Sequence, residues 1–124
     1  MKKESLALKN YAHIGDSVWE VFVRTYVINT TSNSKLLHAR TTERVNASFQ
    51  ASMLNLITSE LTDEELELAR RGRNLSIPVA RKKIQTDYRQ ATAFEVLIGF
   101  WYLNDKERLE DIYNFIKTTT DFFS

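Results

Sequence analysis

The stretch Ile14-Gly15-Asp16-Ser17-Val18-Trp19-Glu20-Val21-Phe22-Val23-Arg24-Thr25-Tyr26-Val27 decides the fold class. Its apolar residues are Ile14, Val18, Trp19, Val21, Phe22, Val23, Tyr26 and Val27. They do not alternate strictly, and the run is long for a strand, so the segment is predicted to be a helix. The apolar arc is too broad for one narrow stripe, which predicts a helix wrapped by neighbours on most sides.

Outward from this helix the spacing stays helical, and the chain reads as all-α. Thr30-Thr31-Ser32-Asn33 ends the first helix and caps a short one carrying Lys35, Leu36, Leu37 and His38. A further helix is expected from about Glu43 to Ser59, with Val45, Phe49, Met53, Leu56 and Ile57 inward. Thr62 followed by Glu65 is a capping-box pattern opening a helix that stops near Gly72. Asn74 to Arg81, containing Pro78, is a connection. The next helix is expected from about Thr86 to Leu103, with Ala91, Phe94, Leu97, Ile98 and Trp101 as core positions. Asn104 with Glu107 predicts the cap of a last helix through Leu109, Ile112, Tyr113 and Ile116. The tail from Thr118 is expected to fray, with Phe122 and Phe123 docked or at an interface.

The 124 residues suit a single domain spanning 1–124, without repeats. Without cysteine there are no disulfides, thiolate zinc sites or thiol nucleophiles. No apolar run approaches the ~20 residues of a membrane span, and the start is too polar for a signal peptide. A soluble, cytoplasmic protein is expected. The net charge of +1 says little, but its distribution says more. Between Arg70 and Arg89 lie Arg70, Arg71, Arg73, Arg81, Lys82, Lys83 and Arg89, with Asp87 the only acid. Acids gather instead at 60–67 and 105–111. Such a basic stretch is either a solvated surface or a grip on a polyanion.

Three acids stand out because they fall on apolar helices. Asp16 and Glu20 are one turn apart on one face, and Glu95 sits between Phe94 and Val96. Carboxylates in apolar surroundings need a partner. Arg24 can serve Glu20, and Arg89 can serve Asp16 or Glu95. A hard divalent cation is the other possibility, since magnesium takes oxygen ligands and needs few from the protein. Spacing alone leaves both open. His13 and His38 are too scattered for zinc, and His38 beside Lys35 and Arg40 is a candidate phosphate contact. No nucleophile elbow, phosphate loop or dinucleotide fingerprint is present. Gly15 beside Asp16 and Gly99 one turn after Glu95 stand where two helices would need to approach closely.

His13-Ile14-Gly15-Asp16-Ser17-Val18 resembles the signature helix of the ribonuclease III family, and Phe94-Glu95-Val96-Leu97-Ile98-Gly99 resembles its second motif. Tyr11 to Glu20, Lys35-Leu36 with His38, Arg70 to Asn74 and Tyr88 to Thr92 are similar to the minimal branch, Mini-ribonuclease III. The resemblance runs in order from about Leu6 to Ile116. It implies a ribonuclease III endonuclease-like helical fold that forms a homodimer through the signature helix, with Trp19, Phe22 and Val23 as interface candidates. It also implies endonucleolytic hydrolysis of double-stranded RNA in the presence of magnesium, with manganese as a substitute. The expected products have 5′-phosphate and 3′-hydroxyl ends. Asp16 and Glu95 match the metal-binding, catalytic acids, and Glu20 is a supporting acid. Lys35, His38, Arg70, Arg71, Arg73, Arg81, Lys82, Lys83 and Arg89 are the RNA-binding candidates, and precursor large-subunit (23S) ribosomal RNA is the substrate implied. The resemblance implies acids in the larger family members where this chain has Lys9 and Thr92, so two of their four acids are missing here, a reduced set that resembles that of the minimal branch. With no double-stranded-RNA-binding domain in the sequence, grip is expected from the catalytic dimer. The competing readings are a catalytically silent RNA-binding or ribosome-associated module, and a helical interaction protein whose acids are tied up by Arg24 and Arg89.

Overall fold

The computed structural model describes residues 2–75 and 82–123, with backbone alone at 2–7 and 82–84. The described residues are helical: α1 (Lys2–Val27), α2 (Ser34–Val45), α3 (Ala47–Ile57), α4 (Asp63–Arg73), α5 (Lys82–Asn104) and α6 (Lys106–Thr119). Two short 3-10 turns, Thr58–Glu60 and Asp121–Phe123, follow α3 and α6.

Helix α5 is the axis of the fold, packed by α1, α3, α4 and α6. Its sequence explains this: Ala93, Phe94, Val96, Leu97, Ile98 and Trp101 are buried on nearly every side of the helix. Trp19 of α1 meets Phe94 edge-on at 5.0 Å between ring centroids, and its indole N–H donates to the Arg44 carbonyl at 2.8 Å. That bond gives a fully enclosed polar atom its partner.

The local signals explain where the helices start. Asn33 caps α2, and the Thr62–Glu65 capping box opens α4 as its sequence predicts. Helix α4 carries Asp63, Glu64 and Glu65 in its first turn and Arg70, Arg71 and Arg73 in its last. The acidic and basic segments are thus partly the two ends of one helix, each opposing the local backbone dipole.

The helix expected over Glu43–Ser59 is in fact two. Asn46 ends α2 in an extended conformation and caps α3, accepting from the Phe49 N–H at 2.8 Å. The cap of α6 is Asp105 rather than Asn104, accepting from the Arg108 N–H at 3.1 Å. Helices α1 and α5 begin before the expected Ile14 and Thr86. The tail does not fray through Phe123, which is buried against Trp19, Phe22 and Tyr26.

The interface candidates need correction. Trp19 and Val23 are 0% exposed within one chain, because they face the core, and neither has surface left for a partner. Phe22 is half-buried, stacked on Tyr113 at 3.8 Å, and lines a groove of about 650 Å³ between α1 and α6. Val18, Val21 and Tyr26 line the same groove, with Val21 63% exposed. The outward apolar arc of α1 therefore runs one position away from the inward one.

Candidate active site

Asp16 and Glu95 belong to stretches far apart in sequence, and two glycines bring them together. A methyl group on Gly15 would strike the Glu95 carbonyl oxygen and lie 2.9 Å from the Gly99 nitrogen. A methyl group on Gly99 would strike the Tyr11 carbonyl oxygen. Each glycine lets the other helix's backbone approach to a distance that a Cβ forbids. The Asp16 carboxylate, next to Gly15, then meets the Glu95 side chain across the α1–α5 crossing.

The two acids line one cavity of about 500 Å³ with Lys9, Ala12, His13, Val45, Ala47, Gln50, Leu75, Tyr88, Ala91, Thr92 and Glu95's own helix face. Asp16 is exposed at its mouth, and Glu95 is half-buried between the enclosed Phe94 and Val96. Burial first, and then the neighbouring Asp16 carboxyl, push the Glu95 pKa up to about 8. Near neutral pH Glu95 therefore keeps its proton, beside Asp16. Neither acid forms an ion pair with a described residue.

This donor set fits a magnesium-type ion. It offers carboxylate oxygens from two helices in a cavity with room for water and a phosphate oxygen, and neither acid is engaged in an ion pair with a described residue. Three metal-ligating His, Cys, Asp or Glu groups do not gather anywhere among the described residues, so a zinc-type ligand set has no support there.

The other sequence candidates are placed as follows. Glu20 does not line the cavity and is paired with Arg24 at 2.7 Å, the ion pair its spacing allowed. Arg89 pairs with neither Asp16 nor Glu95. Its guanidinium donates to the Arg73 carbonyl at 3.0 Å and secures the end of α4. Arg70 is exposed and paired with Glu67 at 2.6 Å. Arg71 lines a separate acidic hollow with Glu64, Glu67 and Asp105, while Arg73 is half-buried. Lys35 and His38 are exposed on α2 and do not line the Asp16–Glu95 cavity. Arg81 lies outside the described residues, as do the side chains of Lys82 and Lys83.

Lys9 and Thr92 both line the cavity. The Thr92 hydroxyl is bonded back to the Tyr88 carbonyl at 2.9 Å. Gln50, absent from the sequence-based candidates, also lines the cavity, as does the 44%-exposed Tyr88 of the family-like Tyr88–Thr92 stretch. A signal for Gln50 existed, since it continues the buried stripe of Met53, Leu54 and Ile57 as its one polar member.

The family model described as Ribonuclease III domain matches residues 9–106. A Mini-ribonuclease 3 of Gloeobacter violaceus is 43% identical over 105 residues, covering 85% of this chain and 78% of the relative. One from Clostridium tetani is 41% identical over 105 residues, covering 82% and 70%. A Fusobacterium nucleatum protein solved by X-ray crystallography superposes with a TM-score of 0.78 at 30% identity, over 89% of this chain and 91% of that one.

Proposed function

Since the chain belongs to the ribonuclease III domain family, in its Mini-ribonuclease 3 branch, we propose that it is an endoribonuclease that hydrolyses double-stranded RNA at the Asp16–Glu95 site. The observation that carries this reading is the convergence of two carboxylates from α1 and α5, without a cationic partner, in a cavity open to solvent.

Asp16 and Glu95 are the two residues that would hold magnesium, with manganese as a substitute. Such an ion supplies Lewis-acid activation of water and neutralises charge developing on the phosphate. The chain's own part is geometric. Helices α1 and α5 hold the two carboxylates side by side, and a bound cation would favour the deprotonated form of Glu95. Lys9 at the cavity rim adds positive charge beside the path of the phosphate backbone. Duplex RNA exposes phosphates and 2′-hydroxyls rather than readable base edges, so shape and charge suffice for recognition. Lys35, His38 and the basic residues of α4 and the start of α5 are the further phosphate contacts. Each contact made should steepen the salt dependence of binding by about 0.9 in log–log slope.

The groove between α1 and α6 is the surface for a second copy. Its floor holds the Tyr113 hydroxyl, buried and without a hydrogen-bond partner among the described residues, and its wall is the apolar row Val18, Val21, Phe22 and Tyr26. A two-fold dimer here would set two sites against the two strands of one duplex. Paired ends of precursor ribosomal RNA are the natural substrate in this reading.

The test is cleavage of labelled duplex RNA in magnesium by the wild type, Asp16→Asn and Glu95→Gln. Cleavage by the wild type alone supports the proposal. A wild type that binds duplex but leaves it intact in both magnesium and manganese would favour the silent RNA-binding module. Sedimentation of Val21→Glu, expected as monomer against a wild-type dimer, tests the groove.

A further inference from the structure

The cavity contains a polar group for which the reading above has no use. Gln50 is 2% exposed, on the first turn of α3, and its amide nitrogen has no hydrogen-bond partner among the described residues. A buried amide without an acceptor is destabilising, and native proteins seldom keep one without a reason. The helix start explains how it arrives there. Asn46 breaks the chain between α2 and α3, and the Gln50 N–H donates to the Asn46 carbonyl at 3.0 Å. This places the side chain at the innermost end of the α3 stripe, facing α5.

The surroundings limit what the amide can do. Its neighbours in the cavity wall include Val45, Ala47 and Ala91, which accept nothing through their side chains. Thr92 already directs its hydroxyl to Tyr88. Asp16, His13 and Tyr88 also line the cavity, but Glu95 is the group on which the Gln50 amide acts. The Gln50 amide stands near enough to favour the charged form of Glu95, yet it does not complete a bond of ordinary geometry.

We propose that Gln50 is a positioning residue, whose buried amide would bond the Glu95 carboxylate and fix its orientation for a divalent cation. The inference rests on the Asp16–Glu95 reading of the site. Metal-ligating carboxylates gain orientation from such outer hydrogen bonds, whose loss costs about tenfold to a hundredfold in affinity or activity. The metal-free fold carries this amide without a partner, in the same cavity as the carboxylate it would orient.

This makes an unusual demand on mutants. Gln50→Leu keeps the volume and removes the amide, and Gln50→Met does so with an unbranched chain where leucine packs poorly. The two are compared with wild type and Glu95→Gln by manganese titration calorimetry, by urea unfolding without metal, and by steady-state cleavage. The expected result is manganese affinity lower by about tenfold or more, unchanged KM for duplex with lowered kcat, and metal-free stability equal to or above wild type. Gln50→Asn, which retains an amide on a shorter stem, should recover little, because the reach is lost. Wild-type manganese affinity in Gln50→Leu or Gln50→Met would overturn the proposal. So would loss of metal-free stability in both, because the amide would then be a structural tie. Failure of the underlying reading looks different: wild type and Glu95→Gln would bind manganese equally weakly.

Discussion

Two carboxylates sit half-buried at opposite ends of the same helix packing, and they are treated in opposite ways. Glu65 at the start of α4 has every oxygen occupied. It accepts from the Thr62 N–H at 2.9 Å, from the Trp101 indole at 3.0 Å and from Arg108 in a two-pronged pair at 2.9 and 2.7 Å. Burial alone would raise its pKa, but the Arg108 and Thr62 bonds hold it below the usual carboxylate value. Glu95 in α5 faces another acid and an amide that falls short of it, and its pKa climbs to about 8. The same side chain closes a structure in one place and leaves a valence open in the other. Perturbed acids of the second kind are the ones to suspect of chemistry.

The contrast can be broken first at the level of activity. Asp16→Asn and Glu95→Gln are each expected to lower single-turnover cleavage of duplex RNA by about a thousandfold, the scale of several kcal/mol of lost metal assistance. Duplex affinity should stay within a few-fold. Breaking the Glu65 end should leave the cleavage rate of the folded protein unchanged.

Stability should respond at the crossing that sets the acids. Gly15→Ala and Gly99→Ala each force a methyl group into a backbone carbonyl of the other helix. A loss of about 3 kcal/mol or more is expected in urea unfolding, the upper end of overpacking costs. Arg108→Ala leaves Glu65 without its charge partner and should cost about 2 kcal/mol, because the pair is mostly enclosed and joins α4 to α6.

The smallest effect separates the two acids by sign. Glu95 has a folded pKa near 8 against an ordinary 4.5, so the folded state holds its proton more tightly than the unfolded chain does. Stability in metal-free buffer should therefore fall as pH rises from about 5 to about 8 and level off above that. A decline on the order of 1–2 kcal/mol is expected, discounted for water at the cavity mouth, and Glu95→Gln should abolish it. Glu65 runs the other way: its pKa is lowered, so its contribution is present at neutral pH and is lost as pH falls below the ordinary carboxylate value. Urea midpoints measured from about pH 2.5 to 9 for wild type, Glu95→Gln and Glu65→Gln check both.

Much of this was legible in the sequence, and the misses have physical causes. Helical spacing and the Thr62–Glu65 box located most elements, because apolar period and cap chemistry are local. The break at Asn46 was hidden because Val45, Phe49, Met53 and Ile57 keep a helical period across it. The two glycines announced a close helix approach, which the structure bears out at Gly15 and Gly99. Which apolar face of α1 is the inner one was not legible, since Trp19 and Val23 look as sticky as Val18 and Val21. Glu20 shares a helical face with Asp16 but turns to Arg24, a choice made by side-chain geometry rather than spacing. Gln50 escaped notice because its value lies in what it fails to bond.

The central claim is that Glu95 keeps a proton beside Asp16 which a divalent cation would replace. Manganese titration calorimetry of the wild type at pH 7, repeated in buffers of different ionisation enthalpy, counts the protons released. The account predicts close to one proton released per ion bound, with little release in Glu95→Gln. Binding without proton release, or equal release in wild type and Glu95→Gln, would contradict it.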